Sequence, residues 1–254
     1  MQAQSDVGTK PSFSTPLLQH WSEYTRDDHE VWEILYSKRM MQLESTASSV
    51  FLDGAEIIGL SAKQIPDLAD VNRRLGERTG WAAVPVDGFL PAAEFFASLA
   101  RRRFPTTVTI RPRDRIDYVT EPDIFHDVFG HVPLHSNPMF ADFLQRFGHV
   151  AETESSDSKR GTEMMARLFW FTVEFGLIRE RGDVKIYGSG LISSASDAAN
   201  ALSANCDRRE FSLDAVLSQP FRIDELQNTL FVLDSFDQLF DAVEEIRQEA
   251  KSSV

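Results

Sequence analysis

Apolar residues recur at helical spacing over much of the chain. Between residues 31 and 43 they mark one face of an amphipathic helix, and its members are Val31, Ile34, Leu35, Met40, Met41 and Leu43. Proline near a helix start and glycine just past a helix end are the usual boundary signals. With these signals, the pattern predicts further helices over residues 66–80, 91–100 and 162–180.

Short runs rich in β-branched residues predict a few strands. They lie at residues 106–111, 184–187 and 230–233, and their lengths are typical of single strands. No Gly/Ser linker, repeat or long block of like charge interrupts residues 13–254, which we therefore expect to form one domain after a flexible N-terminal tail of residues 1–12. The predicted fold class is mostly α with a few short β-strands.

Composition narrows the class of ligand. Of the 254 residues, 42% are hydrophobic and 26% are charged, as in ordinary globular proteins. The one cysteine, Cys206, can form neither a disulfide within the chain nor a cysteine zinc cluster. The net charge of −13 disfavours nucleic acid and anionic membranes as partners, since both select basic surfaces. We therefore expect a small-molecule ligand.

The sequence carries no sign of export. Its first ten residues are polar and lack the apolar core of a signal peptide. No run approaches the ~20 apolar residues that a membrane-spanning helix needs. With a single cysteine, the cytoplasm is the expected compartment.

The densest chemical signal is the run EPDIFHDVFGHVP at 121–133. Its histidines, His126 and His131, are five residues apart and would point about 140° away from each other on an ideal α-helix. Gly130 can break the helix and let the second imidazole swing toward the first. The pair can then hold a metal, although two unrelated histidines at a helix end would give the same pattern.

A second signal is Glu174, the only formal charge among the eleven residues 168–178. An ionised carboxylate in such an apolar helix costs several kcal/mol unless a cation or strong hydrogen bonds compensate it. Its partner is either a basic side chain such as Arg167, or a metal shared with His126 and His131. Two histidines and one carboxylate are the ligands of non-haem Fe(II) oxygenases, but a zinc hydrolase could use the same set with a water.

Three motifs together carry a family resemblance: the run at 121–133, WFTVEFGL at 170–177 and IYGSGLISS at 186–194. In order and spacing they resemble the pterin-dependent aromatic amino acid hydroxylases, above all the short bacterial phenylalanine hydroxylases. The resemblance extends over residues 29–249. It implies that family's catalytic-domain fold over the domain at 13–254, and it implies that His126, His131 and Glu174 are the catalytic iron ligands.

The resemblance also implies roles for other residues. Arg111 would bind the amino acid carboxylate through two parallel hydrogen bonds, and Ser193 would bind the same carboxylate. The substrate-binding residues implied are Arg111, Pro122, Trp170, Phe175 and Ser193. The pterin-binding residues implied are Gly88, Leu90, Phe95 and Asp127. Without the resemblance, Arg111 would be interpreted as half of a surface salt bridge, and Trp170 and Phe95 as core.

The chain also departs from the family's pattern. Ser189 stands where alanine is commoner, and His135 stands where an apolar residue is usual. We expect both to alter the polarity of the pocket. Val119-Thr120 replaces a usual substrate contact, and the segment at 221–228 lacks a usual Gln-Pro, with Ile223 where tyrosine-using members tend to have an acid.

The expected activity is hydroxylation of the ring of L-phenylalanine, mainly to L-tyrosine, by an Fe(II) monooxygenase that uses a tetrahydropterin and O₂. The alternatives are a phenylalanine 3-hydroxylase that makes meta-tyrosine for secondary metabolism, a tryptophan hydroxylase, a zinc hydrolase on the same three ligands and a non-enzymatic binding protein. Trp170 favours phenylalanine, because tryptophan hydroxylases of the family typically have phenylalanine there. Few residues flank the matched region, so a monomer is expected.

Overall fold

The computed structural model describes residues 17–117, 121–155, 158–223 and 225–252. The predicted tail at 1–12 lies outside these residues, and the single domain at 13–254 stays a prediction. The α-helices of the described part are α1 (Arg26–Thr46), α2 (Ser49–Ile57), α3 (Leu68–Arg78), α4 (Ala92–Ala100), α5 (Pro138–Ser155), α6 (Lys159–Phe169), α7 (Ser189–Ser193), α8 (Ala195–Leu202), α9 (Leu213–Ser218) and α10 (Asp237–Ser252).

Six short strands accompany the helices in the described ranges: β1 (Ala82–Val86), β2 (Arg103–Thr107), β3 (Leu177–Glu180), β4 (Asp183–Ile186), β5 (Asp207–Glu210) and β6 (Thr229–Leu233). β1 and β2 form a parallel pair. The other four form a sheet in the order β4-β3-β6-β5, in which only the β3–β4 pairing is antiparallel. The fold is therefore mostly α with a few short strands, as the sequence predicts.

Side-chain caps mark where helices begin. Thr25 and Asp28 form a reciprocal capping box at the start of α1, which satisfies two backbone N–H groups that the helix leaves free. Ser48, Asp67 and Ser158 accept from backbone N–H groups at the starts of α2, α3 and α6. Such caps contribute about 1 kcal/mol each, so local sequence determines these boundaries.

The strand predicted at 106–111 is displaced, because β2 covers Arg103–Thr107. The ladder stops at Thr107, whose backbone N–H donates to the Asp127 carboxylate at 2.7 Å and not to another strand. Arg111 consequently lies in the loop after β2, and not at the strand's end.

The segment predicted as one helix at 162–180 instead forms a helix, a π-helical turn and a strand. α6 ends at Phe169, a π-helical turn follows over Trp170–Glu174, and the chain then enters β3. Gly176 makes this change of direction, because its carbonyl accepts from the backbone N–H groups of Tyr187 and Gly188 at 3.1 and 3.0 Å. The last four residues of the predicted helix thereby become a strand.

The site is organised by two π-helical turns and one short helix. The turns are Phe125–His131 and Trp170–Glu174, and α7 packs against both of them. Around them lies a hydrophobic core that contains Trp32, Phe129 and Phe171, each at most 1% exposed. Among the described residues, no helix is long and apolar enough to cross a membrane.

Candidate metal centre and substrate cleft

The two histidines of the first motif do lie side by side, but for a different reason than expected. Phe125–His131 is a π-helical turn, in which hydrogen bonds join residues five apart and not four. This wider turn brings His126 and His131 together, with ring centroids 5.1 Å apart. The expected break at Gly130 is wrong. Gly130 instead allows close packing, because a Cβ there would lie 3.0 Å from the Ser189 carbonyl oxygen.

Glu174 faces both histidines from the second π-helical turn. Its Oε1 lies 3.1 Å from Nε2 of His131, and its Oε2 lies 3.8 Å from Nε2 of His126. One ligand atom from each residue lies within 4.8 Å of the other two, a spacing that suits a shared metal ion. The alternative partner, Arg167, donates instead to the carbonyl of Leu217 at 2.5 Å.

The Glu174 carboxylate is held in its ionised form. Burial by itself would raise its pKa, but the nearby imidazole of His131, with His126 and the Ser189 hydroxyl, lowers the pKa to about 2. An ionised carboxylate beside two imidazoles is a donor set suited to a divalent metal.

Ser193 determines the orientation of the His126 ring. Its hydroxyl donates to the Ser189 carbonyl at 2.9 Å and lies 2.8 Å from Nδ1 of His126. Since the hydroxyl proton is used in the first bond, Nδ1–H of His126 is the donor in the second. This network assigns the tautomer that leaves the lone pair of Nε2 facing Glu174, as a metal ligand requires. This contact of Ser193 is additional to its expected contact with the substrate.

Arg111 is buried and forms an ion pair that is not evident from the sequence. Its Nε and Nη2 donate to the two oxygens of Asp123 at 2.8 Å each, and Nη1 donates to the Ile116 carbonyl at 3.3 Å. Burial would raise the pKa of Asp123, but the Arg111 guanidinium outweighs it and lowers that pKa. Asp123 also accepts from the backbone N–H of His126 at 3.0 Å, so it links Arg111 to the candidate metal site.

One open cleft of about 740 Å³ unites the predicted site residues. All twelve residues assigned above to metal, substrate or pterin line it. One wall is a stack of three aromatic rings, in which Trp170 lies between Phe175 and Phe221 at centroid distances of 4.7 and 4.9 Å. Phe221 was not predicted as part of the site, since its contact with Trp170 joins distant segments of the chain.

The residues predicted to bind the pterin lie along the same cleft. Gly88 has φ +117°, a conformation that side chains rarely adopt, and it precedes the exposed Phe89. Phe95 on α4 makes edge-on contacts with Phe104 and Phe169. Asp127 accepts from both the backbone N–H and the hydroxyl of Thr107 at 2.7 Å, so one of its oxygens is fixed and buried.

Ser189 and His135 do not line the cleft, so the expected effect on pocket polarity is wrong. Each is 1% exposed. Ser189 lies behind Glu174, and its hydroxyl donates to Oε2 of that residue at 2.9 Å. His135 packs between Trp81 and Phe104, at centroid distances of 4.6 and 4.9 Å, and neither of its ring nitrogens has a hydrogen-bond partner among the described residues.

Replacing His135 by leucine is expected to stabilise the fold, increasingly so in acid. Burial lowers the pKa of His135 to about 3, so the unfolded chain binds a proton below about pH 6.5 that the folded chain cannot bind. Between pH 7.5 and pH 5.0, the free energy of unfolding of wild type should fall by about 2 kcal/mol relative to that of His135→Leu. Denaturant unfolding of both proteins at the two pH values measures this difference. An equal difference in unfolding free energy between the two proteins at both pH values would contradict the prediction.

Comparison with known proteins identifies the family and its fold. Residues 16–253 match the family described as biopterin-dependent aromatic amino acid hydroxylases. The phenylalanine-4-hydroxylase of Ralstonia nicotianae is 43% identical over 235 residues, which are 92% of this chain and 74% of the relative. That of Caulobacter vibrioides is 39% identical over 91% of this chain and 78% of the relative.

A crystal structure of phenylalanine hydroxylase from Chromobacterium violaceum is similar in sequence and shape. It contains iron(III) and oxidised cofactor 7,8-dihydrobiopterin, and it matches with a TM-score of 0.86 and 40% identity over 93% of this chain and 86% of that one. A cobalt-bound structure of the same enzyme matches with the same TM-score, at 42% identity over 90% and 82%. The chain therefore belongs to the biopterin-dependent aromatic amino acid hydroxylases.

Proposed function

We propose that this protein is an Fe(II)- and tetrahydropterin-dependent monooxygenase that hydroxylates the ring of L-phenylalanine with O₂ to give L-tyrosine. The observation that carries the proposal is the meeting of His126, His131 and Glu174 at one end of a cleft, in a chain of this family. The similar bacterial enzymes are phenylalanine-4-hydroxylases, which supports attack at the para carbon.

His126, His131 and Glu174 would hold the iron and leave coordination positions open for reactants. Bound together, iron and tetrahydropterin supply the reducing power that activates O₂. The protein's own contribution is the orientation of the ligands. Ser193 keeps the His126 ring in the required tautomer, and the neighbouring histidines with the Ser189 hydroxyl keep Glu174 ionised despite its burial.

Arg111 would bind the substrate carboxylate with the end of its guanidinium. Asp123 already occupies Nε and one proton of Nη2, and Ile116 accepts one proton of Nη1. One N–H on each terminal nitrogen has no partner among the described residues, and together they would form a second fork for the substrate carboxylate. Because Asp123 fixes the plane of the guanidinium, this fork is oriented before the substrate binds.

The aromatic wall would receive the substrate ring, with Pro122 and Ser193 beside it. Trp170 is held between two phenylalanines and so has little freedom to move. On another part of the cleft, Phe95 would stack on the pterin, Gly88 and Leu90 would contact it through their backbone, and Asp127 would face it through water. Thr107 fixes the Asp127 carboxylate for that role.

We also propose that the enzyme acts as a monomer in the cytoplasm. The cleft that unites the twelve assigned residues is formed within a single chain, which supports this proposal. Cys206 is a buried free thiol, which suits a reducing compartment. The net charge of −13 disfavours nucleic acid or an anionic membrane as partner and is compatible with a small-molecule substrate.

The test of the proposed function is O₂ uptake by the iron-loaded protein, with and without phenylalanine and a tetrahydropterin, followed by chromatography of the products. Uptake should require both additions, and para-tyrosine should be the main product. Meta-tyrosine as the main product would instead select 3-hydroxylation. Hydrolytic activity with zinc and no O₂ uptake with iron would select the hydrolase.

Substitution Trp170→Phe is expected to shift the preference from phenylalanine toward tryptophan. Wild type should use phenylalanine first, tryptophan weakly and tyrosine negligibly, since the Trp170 ring fills the space that an indole needs. The smaller ring opens that space, and hydrophobic pockets discriminate by roughly 10–200-fold for such differences. A competition assay on the three amino acids measures the ratio. An unchanged ratio would show that Trp170 does not limit the size of the substrate.

A further inference from the structure

A hydroxyl group lies directly behind the candidate metal ligand Glu174. Ser189, the first residue of α7, is 1% exposed. Its Oγ is 2.9 Å from Oε2 of Glu174 and 3.2 Å from the Val173 carbonyl oxygen. A serine hydroxyl has one proton to donate. The carboxylate is the nearer acceptor and is ionised, so it makes the stronger, charge-assisted bond.

We propose that Ser189 is a positioning residue, whose hydroxyl fixes the orientation of the Glu174 carboxylate and thereby strengthens metal binding. This inference rests on the proposed function, in which Glu174 is a metal ligand. It gives Ser189 a role in the metal site, and not in the pocket where the substrate ring would lie.

The two carboxylate oxygens of Glu174 have different surroundings. Oε1 lies 3.1 Å from Nε2 of His131, within hydrogen-bond distance. Oε2 lies 3.8 Å from Nε2 of His126, which is too far for a hydrogen bond. Ser189 is therefore the side-chain donor to Oε2 in the described part of the chain. Without its hydroxyl, this oxygen has no side-chain donor among the described residues, and only the contact of Oε1 with His131 restricts rotation of the carboxylate about its last side-chain bond.

The donor itself is held rigidly. The guanidinium of Arg39 donates to the carbonyls of Leu191 and Ile192 at 2.9 and 2.8 Å, which fastens the last turn of α7 to α1. At the other end of α7, the Ser189 backbone lies close against Gly130. A fixed donor restricts its acceptor, so the carboxylate is ordered before a metal binds and less ordering entropy is lost on binding.

Helix α7 thus contacts two of the three candidate ligands from behind. Ser193 orients the ring of His126, and Ser189 orients the carboxylate of Glu174. Groups that orient metal ligands typically change metal affinity by 10–100-fold when they are removed. We expect an effect near the lower end for Ser189, because a single neutral donor is lost.

The test compares Ser189→Ala with wild type in metal binding. Affinity for Fe(II) and Co(II) is measured by competition with a chromophoric chelator, and the visible absorption of the Co(II) protein is recorded. Ser189→Ala should bind both metals about tenfold more weakly and should show a changed Co(II) spectrum, since a freed carboxylate alters the ligand field. A hydroxyl that merely satisfies the Val173 carbonyl would leave that spectrum unchanged.

Ser136→Ala is the matched control. Ser136 is also 1% exposed and its hydroxyl donates to one backbone carbonyl, that of Pro133, at 2.8 Å. This variant loses a buried hydroxyl of the same size without touching a candidate ligand. It should keep wild-type metal affinity and the wild-type Co(II) spectrum. Far-ultraviolet circular dichroism of the metal-free variants checks that both are folded.

A third variant, Glu174→Gln, separates this inference from the proposed function. If Glu174→Gln loses the metal while Ser189→Ala keeps wild-type affinity and spectrum, the metal site stands and the role of Ser189 is overturned. If Glu174→Gln binds metal as tightly as wild type, both proposals are overturned. A loss of affinity in Ser136→Ala equal to that in Ser189→Ala would also overturn the role of Ser189.

Discussion

Alanine at any one of His126, His131 and Glu174 is expected to abolish both iron retention and hydroxylation. The three side chains are the groups that meet at one point, and the loss of one leaves two protein ligands for a metal that also carries its reactants. Removing groups that only orient ligands costs 10–100-fold, so removing a ligand should lower turnover by more than about a hundredfold. Metal analysis after desalting, with O₂ uptake in parallel, measures the two effects.

The folded state should survive these changes, because the hydrophobic core does not depend on a metal. Denaturant unfolding of each metal-free variant checks this point. His149→Ala is a suitable control, since His149 lies on the exposed side of α5, and this variant should keep its iron and its activity. An alanine variant of a candidate ligand that keeps stoichiometric iron and near wild-type turnover would disprove the assignment of that ligand.

The residue types in the sequence identified the candidate metal ligands better than the predicted helix geometry did. Glu174 stood out as a lone carboxylate in an apolar run, and the family resemblance then favoured a metal over Arg167 as its partner. The His126 and His131 pair was found, but the π-helical turn that joins them was not. A π-turn depends on tertiary packing, here the approach of Gly130 to the Ser189 backbone, which no local pattern reveals.

The partners of the site residues were missed for a related reason. Asp123 was noted only as a member of the run at 121–133, and Thr107 only as part of a predicted strand. Their roles come from hydrogen bonds to Arg111 and Asp127, which are 12 and 20 residues away. Such contacts leave no periodic signal, so they become visible only when the chain is folded.

Tertiary contacts also explain where the predicted helices and strands differ from the observed ones. Strand β6 at Thr229–Leu233 agrees with its predicted run, because a short apolar segment buried in a sheet is a strong signal. The helix predicted at 162–180 failed at its end, where Leu177 and Ile178 suit a buried helix and a buried strand equally. Their pairing with β4 and β6 decided the outcome.

Removing the guanidinium of Arg111 is expected to reduce both substrate binding and stability. In Arg111→Lys, an ammonium cannot reproduce a planar fork, so the Michaelis constant for phenylalanine should rise by about 10–100-fold, the equivalent of one charged hydrogen-bonded contact. Steady-state kinetics with phenylalanine varied at fixed pterin measures it. Wild-type kinetics would show that Arg111 serves only as a partner of Asp123.

The stability effect is larger in Arg111→Met, because Asp123 then becomes an unpaired buried carboxylate. The side chains of the pair are 8% and 5% exposed, and breaking such a pair costs about 3–5 kcal/mol. Arg111→Met combined with Asp123→Asn should recover much of this loss, because the uncompensated charge is removed as well. Unfolding of the two single variants and the double variant in denaturant measures the coupling.

The pH dependence of that loss has a definite sign. In wild type, Arg111 lowers the pKa of Asp123, so the pair stabilises the fold fully above the unfolded value of about 3.9 and loses this effect as the pH falls through the lower folded value. In Arg111→Met, burial without a cation should raise that pKa above 3.9. The carboxylate then destabilises the fold at neutral pH, and protonation relieves this cost as the pH falls toward 4. The difference in unfolding free energy between wild type and Arg111→Met should therefore be larger at pH 7.5 than at pH 4.5. A difference that grows in acid would contradict the role of Asp123 as the buried charge.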